Sequence, residues 1–148
     1  MALNRDWSIG QLDIQNAFLH GILNEVVYMK EPPAFIDRHF PDPLCLLHKS
    51  IYGLRQAPRT CFDGFSGPLF ELGFIRSRTD TSIFLHYASH GLTLLLLYVD
   101  EILITEANSD FRSSLLSPLH NRFEVKDFGT LHSFLGIEVH RNDVQSLG

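Results

Sequence analysis

Apolar positions run almost unbroken through "LLLLYVDEILIT", residues 94–105, except for one acidic pair, Asp100 and Glu101. Together with the segment before it, "SIFLHYASHGLTLLLLYVDEILIT" divides into three strands, with turns at Ser89 to Gly91 and at Asp100-Glu101. Nearer the start, "SIGQLDIQ" alternates Ile9, Leu12 and Ile14 imperfectly with polar positions, which predicts a strand ending near Asp13. "NAFLHGIL" follows as a short helix with Asn16 as its N-cap. "VVYMKEPPAFIDRHFPDP" reads as a short strand and a Pro-rich loop, and "PLCLLHKSIYGL" as another short strand that stops at the Tyr52-Gly53 turn.

Two stretches change to helical spacing. From Pro58, a favourable first helical residue, Phe62, Phe65, Leu69 and Leu72 recur on one face up to a stop at Gly73. Gly64, Gly67 and Pro68 lie inside that helix, at about 1 kcal/mol per Gly and about 3 for Pro, and predict that it splits at Pro68. Phe111, Leu115, Leu116, Leu119 and Phe123 form a second face, which Pro118 is expected to kink or to confine to Pro118 onward. "HSFLGIEVHR" closes with one more strand. The order predicts an α+β fold, a largely antiparallel sheet backed by helices.

Composition narrows the possibilities. With 148 residues, 45% hydrophobic and 20% charged, the chain is expected to form one domain over residues 1–148. Its start has no basic segment followed by an apolar one, and "LTLLLLYV" is far shorter than the roughly 20 apolar residues of a membrane span. An intracellular, cytoplasmic, non-secreted protein without a membrane segment is expected. Cys45 and Cys61 make neither a disulfide framework nor a zinc motif, and are read as reduced, half-buried thiols. A net charge of −5 argues against a domain that grips nucleic acid by its own basic stripe. His86 and His90 are four apart, but in a strand and turn this spacing does not put both side chains on one face to hold a metal.

The acidic pair is the chemical question. Asp-Glu is a poor choice for a two-residue hairpin turn, and unpaired buried carboxylates are costly. One reading is that the acids solvate an exposed hairpin tip. In the other, Asp100 and Asp13, at the end of its own strand, hold hard divalent cations in a two-metal phosphoryl-transfer site.

Six fragments bear on that choice: "QLDIQNAFLHG", "YMKEPPAF", "KSIYGLRQAPR", "ELGFIRSRTDTSIF", "LLLLYVDEILIT" and "VKDFGTLHSFLGIEV". In order and spacing they resemble the reverse transcriptase of copia-type long-terminal-repeat retrotransposons, over about residues 2–140. The resemblance implies the palm of a right-hand polymerase, truncated here, with no complete fingers and no thumb. It implies Asp13, Asp100 and Glu101 as catalytic acids, and two Mg2+ ions, with Mn2+ as a substitute, held by Asp13, Asp100 and the Ile14 carbonyl. Phe18 matches the bulky residue that excludes a ribonucleotide 2′-hydroxyl. Gln56 and Arg59 are implied as nucleotide contacts, Leu135 and Gly136 as the primer grip, and Lys126 as a proton donor for pyrophosphate.

Implied partners are an RNA or DNA template-primer, deoxynucleoside triphosphates, and polyprotein segments comprising fingers, thumb and RNase H. A virus-like particle in the cytoplasm is the implied setting. The family motif has two aspartates where this chain has Asp100-Glu101, and a displacement of about 1 Å in such a site can cost ~10²-fold in rate. Two functions therefore remain open: an RNA-directed DNA polymerase domain, or a non-catalytic retrotransposon remnant or binding module. A metal-dependent phosphohydrolase is the third, should the six-fragment resemblance be accidental.

Overall fold

A computed structural model describes residues 8–40, 42–89, 91–106, 109–135 and 137–138. The strands are β1 (Ser8–Ile14), β2 (Ile22–Lys30), β3 (Leu44–Lys49), β4 (Ile75–Arg76), β5 (Ile83–Ala88), β6 (Gly91–Tyr98), β7 (Glu101–Glu106), β8 (Val125–Thr130), β9 (Ser133–Phe134) and β10 (Ile137–Glu138). The helices are α1 (Ala57–Glu71) and α2 (Ser109–Arg122). Six strands form one sheet in the order β4-β5-β6-β7-β1-β8, with every neighbouring pair antiparallel. β2 pairs with β3 and β9 with β10 as separate ribbons. The expected α+β class with a largely antiparallel sheet is what the chain forms.

Period-two alternation decides which face of the sheet is packed. Leu12 and Ile14 of β1, Phe84 of β5, Leu95 and Leu97 of β6, Ile102 and Ile104 of β7 and Val125 of β8 all enter the core. There they meet Cys61, Phe65 and Leu69 of α1 and Leu115 and Leu119 of α2, so both helices cover that face. Phe123, just beyond α2, stacks on Phe65 with ring centroids 3.9 Å apart. The opposite face carries the odd-numbered positions of β1 and β7, Asp13 and Glu101 among them.

Both helices run through their prolines. α1 is continuous with Pro68 inside it, and α2 with Pro118 inside it, so neither the expected split nor the expected late start occurs. The cores supply the reason: Phe65 and Leu69 of α1, and Leu115 and Leu119 of α2, are buried on both sides of their respective prolines. Apolar burial of this kind outweighs a local propensity penalty. α1 ends in a Schellman motif, with Gly73 at φ +92, its N–H donating to Phe70 O and the Phe74 N–H donating to Leu69 O.

Gly64 has a packing role: a Cβ there would lie 2.8 Å from the His20 carbonyl oxygen. Gly21 is its counterpart, since a Cβ would come within 2.8 Å of the Thr60 backbone. The two glycines let α1 press directly onto the chain that leaves β1.

Elsewhere the boundaries move. The segment after β1 is a 3-10 helix, Ala17–His20, and Asn16 caps it in a left-handed conformation without a side-chain hydrogen bond. β2 begins well before "VVYMK", and β4 and β8 are strands that the pattern did not predict. Cys61 is fully buried rather than half-buried, while Cys45 is partly exposed as expected, and both are free. Among the described residues, no helix is long and apolar enough to cross a membrane.

Candidate active site

β1 and β7 lie side by side in the sheet, and their register puts Asp13 opposite Glu101 and Leu12 opposite Ile102. Directly opposed residues share a face, so Asp13 and Glu101 stand together on the side away from the helices. The hairpin joining β6 to β7 turns through Val99 and Asp100, because Tyr98 pairs with Glu101. The expected turn at Asp100-Glu101 is thus displaced by one residue, and Glu101 is the first residue of β7. Asp100 is tied back to β1 by its carbonyl, which accepts the Ile14 N–H at 2.8 Å.

This hairpin carries unusual backbone. Val99 has φ +52, a conformation that a β-branched residue adopts only under constraint. The positive φ falls on the first central position of the turn, as a type II′ hairpin requires, where glycine is the usual occupant. Glycine or asparagine would fill that position without strain.

Electrostatics mark the same place. Burial, and then the charge of Asp100, push the Asp13 carboxyl above its ordinary value, while a hydrogen bond from Gln15 and the charge of Lys126 act in the opposite direction. Gln15 donates its side-chain amide to Asp13 Oδ2, and Lys126 faces Asp13 across the β1–β8 ladder. Glu101 Oε2 is buried and has no hydrogen-bond donor among the described residues. Three carboxylates, one of them holding a buried oxygen without a partner, are a donor set suited in kind to a hard divalent cation. Among the described residues, no group of three or more His, Cys, Asp or Glu side chains converges closely enough to hold a metal preformed.

Beside the turn lies an open cavity of about 550 Å³ with Asp100, Glu101 and Val99 on one side and Phe18, Tyr52 and Leu135 among its other walls. Its size falls within the range of small-molecule sites. Phe18 meets Tyr52 edge-on, with centroids 5.5 Å apart. Tyr98, the last residue of β6, lines the same cavity and approaches Phe134 edge-on at 6.3 Å.

The sequence-predicted residues divide accordingly. Phe18, Asp100, Glu101 and Leu135 gather at the cavity, and Asp13 stands behind them on β1. Leu135 has φ +52 in the bend between β9 and β10; Gly136 lies outside the described residues. Gln56 and Arg59 line a different cleft, with Glu25 and Asp63, and the Gln56 amide reaches Glu25 at 3.5 Å. His86 lies against Phe74 and Phe111, and His90 is outside the described residues.

Three participants were not singled out from the sequence. Tyr52 was legible only as part of a turn, and Gln15 only as a polar strand-end residue. Cys61 is the third: its Sγ lies 3.3 Å from the Ala17 carbonyl oxygen and 3.5 Å from that of Val99. Burial, and then Asp100, push its thiol up to about 11. The spacing of Cys61 from Phe65 and Leu69 marks it only as a core position.

The sequence profile of the family described as reverse transcriptase (RNA-dependent DNA polymerase) matches residues 1–146. The chain is 45% identical over 141 residues to the retrovirus-related Pol polyproteins from transposons RE1 and RE2 of Arabidopsis thaliana. That alignment covers 95% of this chain and 10% of each relative. It is also 33% identical over 142 residues to the retrovirus-related Pol polyprotein from transposon TNT 1-94 of Nicotiana tabacum, covering 95% of this chain and 11% of that one. The chain therefore spans about a tenth of the length of these relatives. It belongs to the reverse transcriptase family, in the copia-type branch found in retrotransposon Pol polyproteins.

Proposed function

We propose that this chain is the palm portion of an RNA-directed DNA polymerase, which joins a deoxynucleotide to a primer 3′-hydroxyl. The carrying observation is that the β1–β7 ladder sets Asp13 across from Glu101, while the adjoining β6–β7 turn brings in Asp100, whose carbonyl accepts the Ile14 N–H at 2.8 Å. That turn lies beside a cavity with the aromatic Phe18 on its wall. Asp13, Asp100 and the Ile14 carbonyl would hold the two divalent ions, Mg2+ or Mn2+, with Glu101 nearby. When bound, the ions supply activation of the attacking hydroxyl and neutralisation of the leaving pyrophosphate.

The residues of the chain do the rest. Phe18, buttressed by Tyr52, crowds the sugar and rejects a 2′-hydroxyl by contact. Gln15 orients the Asp13 carboxylate through its amide. Lys126, opposite Asp13 on β8, moderates the negative charge and is the group from which a proton could pass to pyrophosphate. Leu135, at the β9–β10 bend, positions the primer end together with Gly136, the next residue in sequence. Arg59 and Gln56, in their separate cleft, are read as backbone or phosphate contacts outside the cavity.

RNA or DNA template-primer and deoxynucleoside triphosphates are the proposed substrates. Fingers, thumb and RNase H segments of a Pol polyprotein, inside the cell, are the proposed partners. A second reading, a non-catalytic segment of such a polyprotein, is favoured by the lack of a preformed three-donor group among the described residues. Calorimetry with Mg2+ on the wild type, Asp13→Asn and Asp100→Asn separates the two, with primer extension on poly-rA run beside it. Saturable binding lost in both variants, with extension, is expected; no binding, or binding indifferent to both substitutions, would support the second reading.

A further inference from the structure

We infer that Cys61 is a positioning residue for the acid pair, its S–H tying the loop after Asp13 to the turn that carries Asp100. The geometry is specific. Cys61 is 0% exposed, and its sulfur lies 3.3 Å from the Ala17 carbonyl oxygen and 3.5 Å from the Val99 carbonyl oxygen. Ala17 belongs to the chain leaving β1, and Val99 is the residue before Asp100. One thiol proton is therefore shared between the segment that follows Asp13 and the turn that carries Asp100.

Two further observations give the contact its purpose. Val99 is held at φ +52, and a β-branched residue stays there only if its surroundings over-determine the backbone. The sulfur can supply that constraint because its own helix cannot drift. Gly64 and Gly21 bring α1 into direct backbone contact with residues 20 and 21, so Cys61 sits at a fixed height above the chain from β1. Ala57, one turn earlier on α1, lines the cavity itself, so the same helix face serves both cavity and turn.

The functional half of this inference rests on the polymerase reading, whereas the structural half can be tested without metal. The experiment compares the full 148-residue chain with Cys61→Ala, Cys61→Val and Cys61→Ser, and with Leu69→Ala as a buried control on the same helix. Amide exchange is followed by NMR at Ile14, whose N–H donates to Asp100 O, and at Leu95 in the middle of the sheet. Loss of the donor in the Ala and Val variants should speed Ile14 exchange roughly threefold to tenfold relative to Leu95. Serine should restore it, and Leu69→Ala should speed both amides alike.

Valine matters because, being somewhat larger than cysteine, it removes the donor without leaving the cavity through which alanine can impair folding. A Val variant with wild-type Ile14 exchange, or a Ser variant as fast as Val, would overturn the positioning role. In primer extension the Val variant should lose kcat with nucleotide KM unchanged, and Ser should recover it. A wild-type chain that neither binds Mg2+ nor extends would overturn the functional half, while the metal-free exchange comparison would still decide the structural one.

Discussion

Asp13 of β1 stands directly across the ladder from Glu101 of β7, and the turn that precedes Glu101 places Asp100 beside them. Burial of the Asp13 carboxyl, and then the charge of Asp100, make the folded chain hold the Asp13 proton more tightly than the unfolded chain does. The stability gained is fully present below the ordinary value of 3.8 and is lost as pH rises through the raised one. Asp13→Asn, which mimics the protonated acid, should melt above the wild type at neutral pH and converge with it in acid. Mg2+ should raise the wild-type midpoint and leave that of the variant unmoved, as thermal unfolding at several pH values will report.

Val99 stores strain that a more permissive residue would release. Val99→Asn should stabilise the fold by about 1 kcal/mol, within the range for a residue in a sparsely populated conformation. Urea denaturation measures this gain. If the strain serves the site, the same variant should extend primers more slowly despite its greater stability.

Phe18 and Tyr52 form one aromatic unit, and each should affect sugar discrimination. Phe18→Ala should lower the preference for deoxynucleotides over ribonucleotides on the order of 10–100-fold, the scale set by shape changes in an apolar pocket. Tyr52→Ala should lower it in the same direction by less, since it removes the ring packed against Phe18 and leaves Phe18 itself in place. Competing dNTP and rNTP incorporation on one template provides the ratio.

The cleft holding Gln56 and Arg59 makes a contrasting prediction. As neither residue lines the cavity beside Asp100, Gln56→Ala should leave the nucleotide KM within about twofold of wild type. Arg59→Ala should instead weaken template-primer binding and flatten its salt dependence, as removal of a phosphate contact does. Binding measured at two salt concentrations distinguishes these effects.

Much of the scaffold was legible because it follows periodicity. The helical stripe of Phe65 and Leu69 predicts the buried face of α1, and the apolar run on either side of Asp100-Glu101 predicts the two strands, though an unbroken run does not say that Leu95, Leu97, Ile102 and Ile104 are the members that face the core. The acid pair was legible because charge between apolar strands is costly. What escaped prediction depends on contacts between distant segments. Pro68 and Pro118 signal helix breaks, yet the burial flanking them wins; Gly64 signals weakness, yet it is where His20 needs space. β8 was hidden because its charged and exposed residues, Lys126 to Phe128, have no strand-like alternation and are recruited by pairing with β1. Neither Tyr52 nor Cys61 has a local motif that reports a neighbour so far along the chain.

Strand order also governs when the site can exist during synthesis. β1 is made before the other strands of the six-stranded sheet, and its two neighbours there, β7 and β8, follow only after β2–β6 and α1. Until they emerge, the hydrogen-bonding edges of β1 have no native partner, while β5 and β6 can already close as a local hairpin. The nascent chain therefore carries β1 without its sheet neighbours while the segment from β2 to β6 is made. Asp13 sits on the strand that waits longest, so the acid pair cannot be assembled until β7 has been made, and a chain cut before β7 would hold a hairpin but no site.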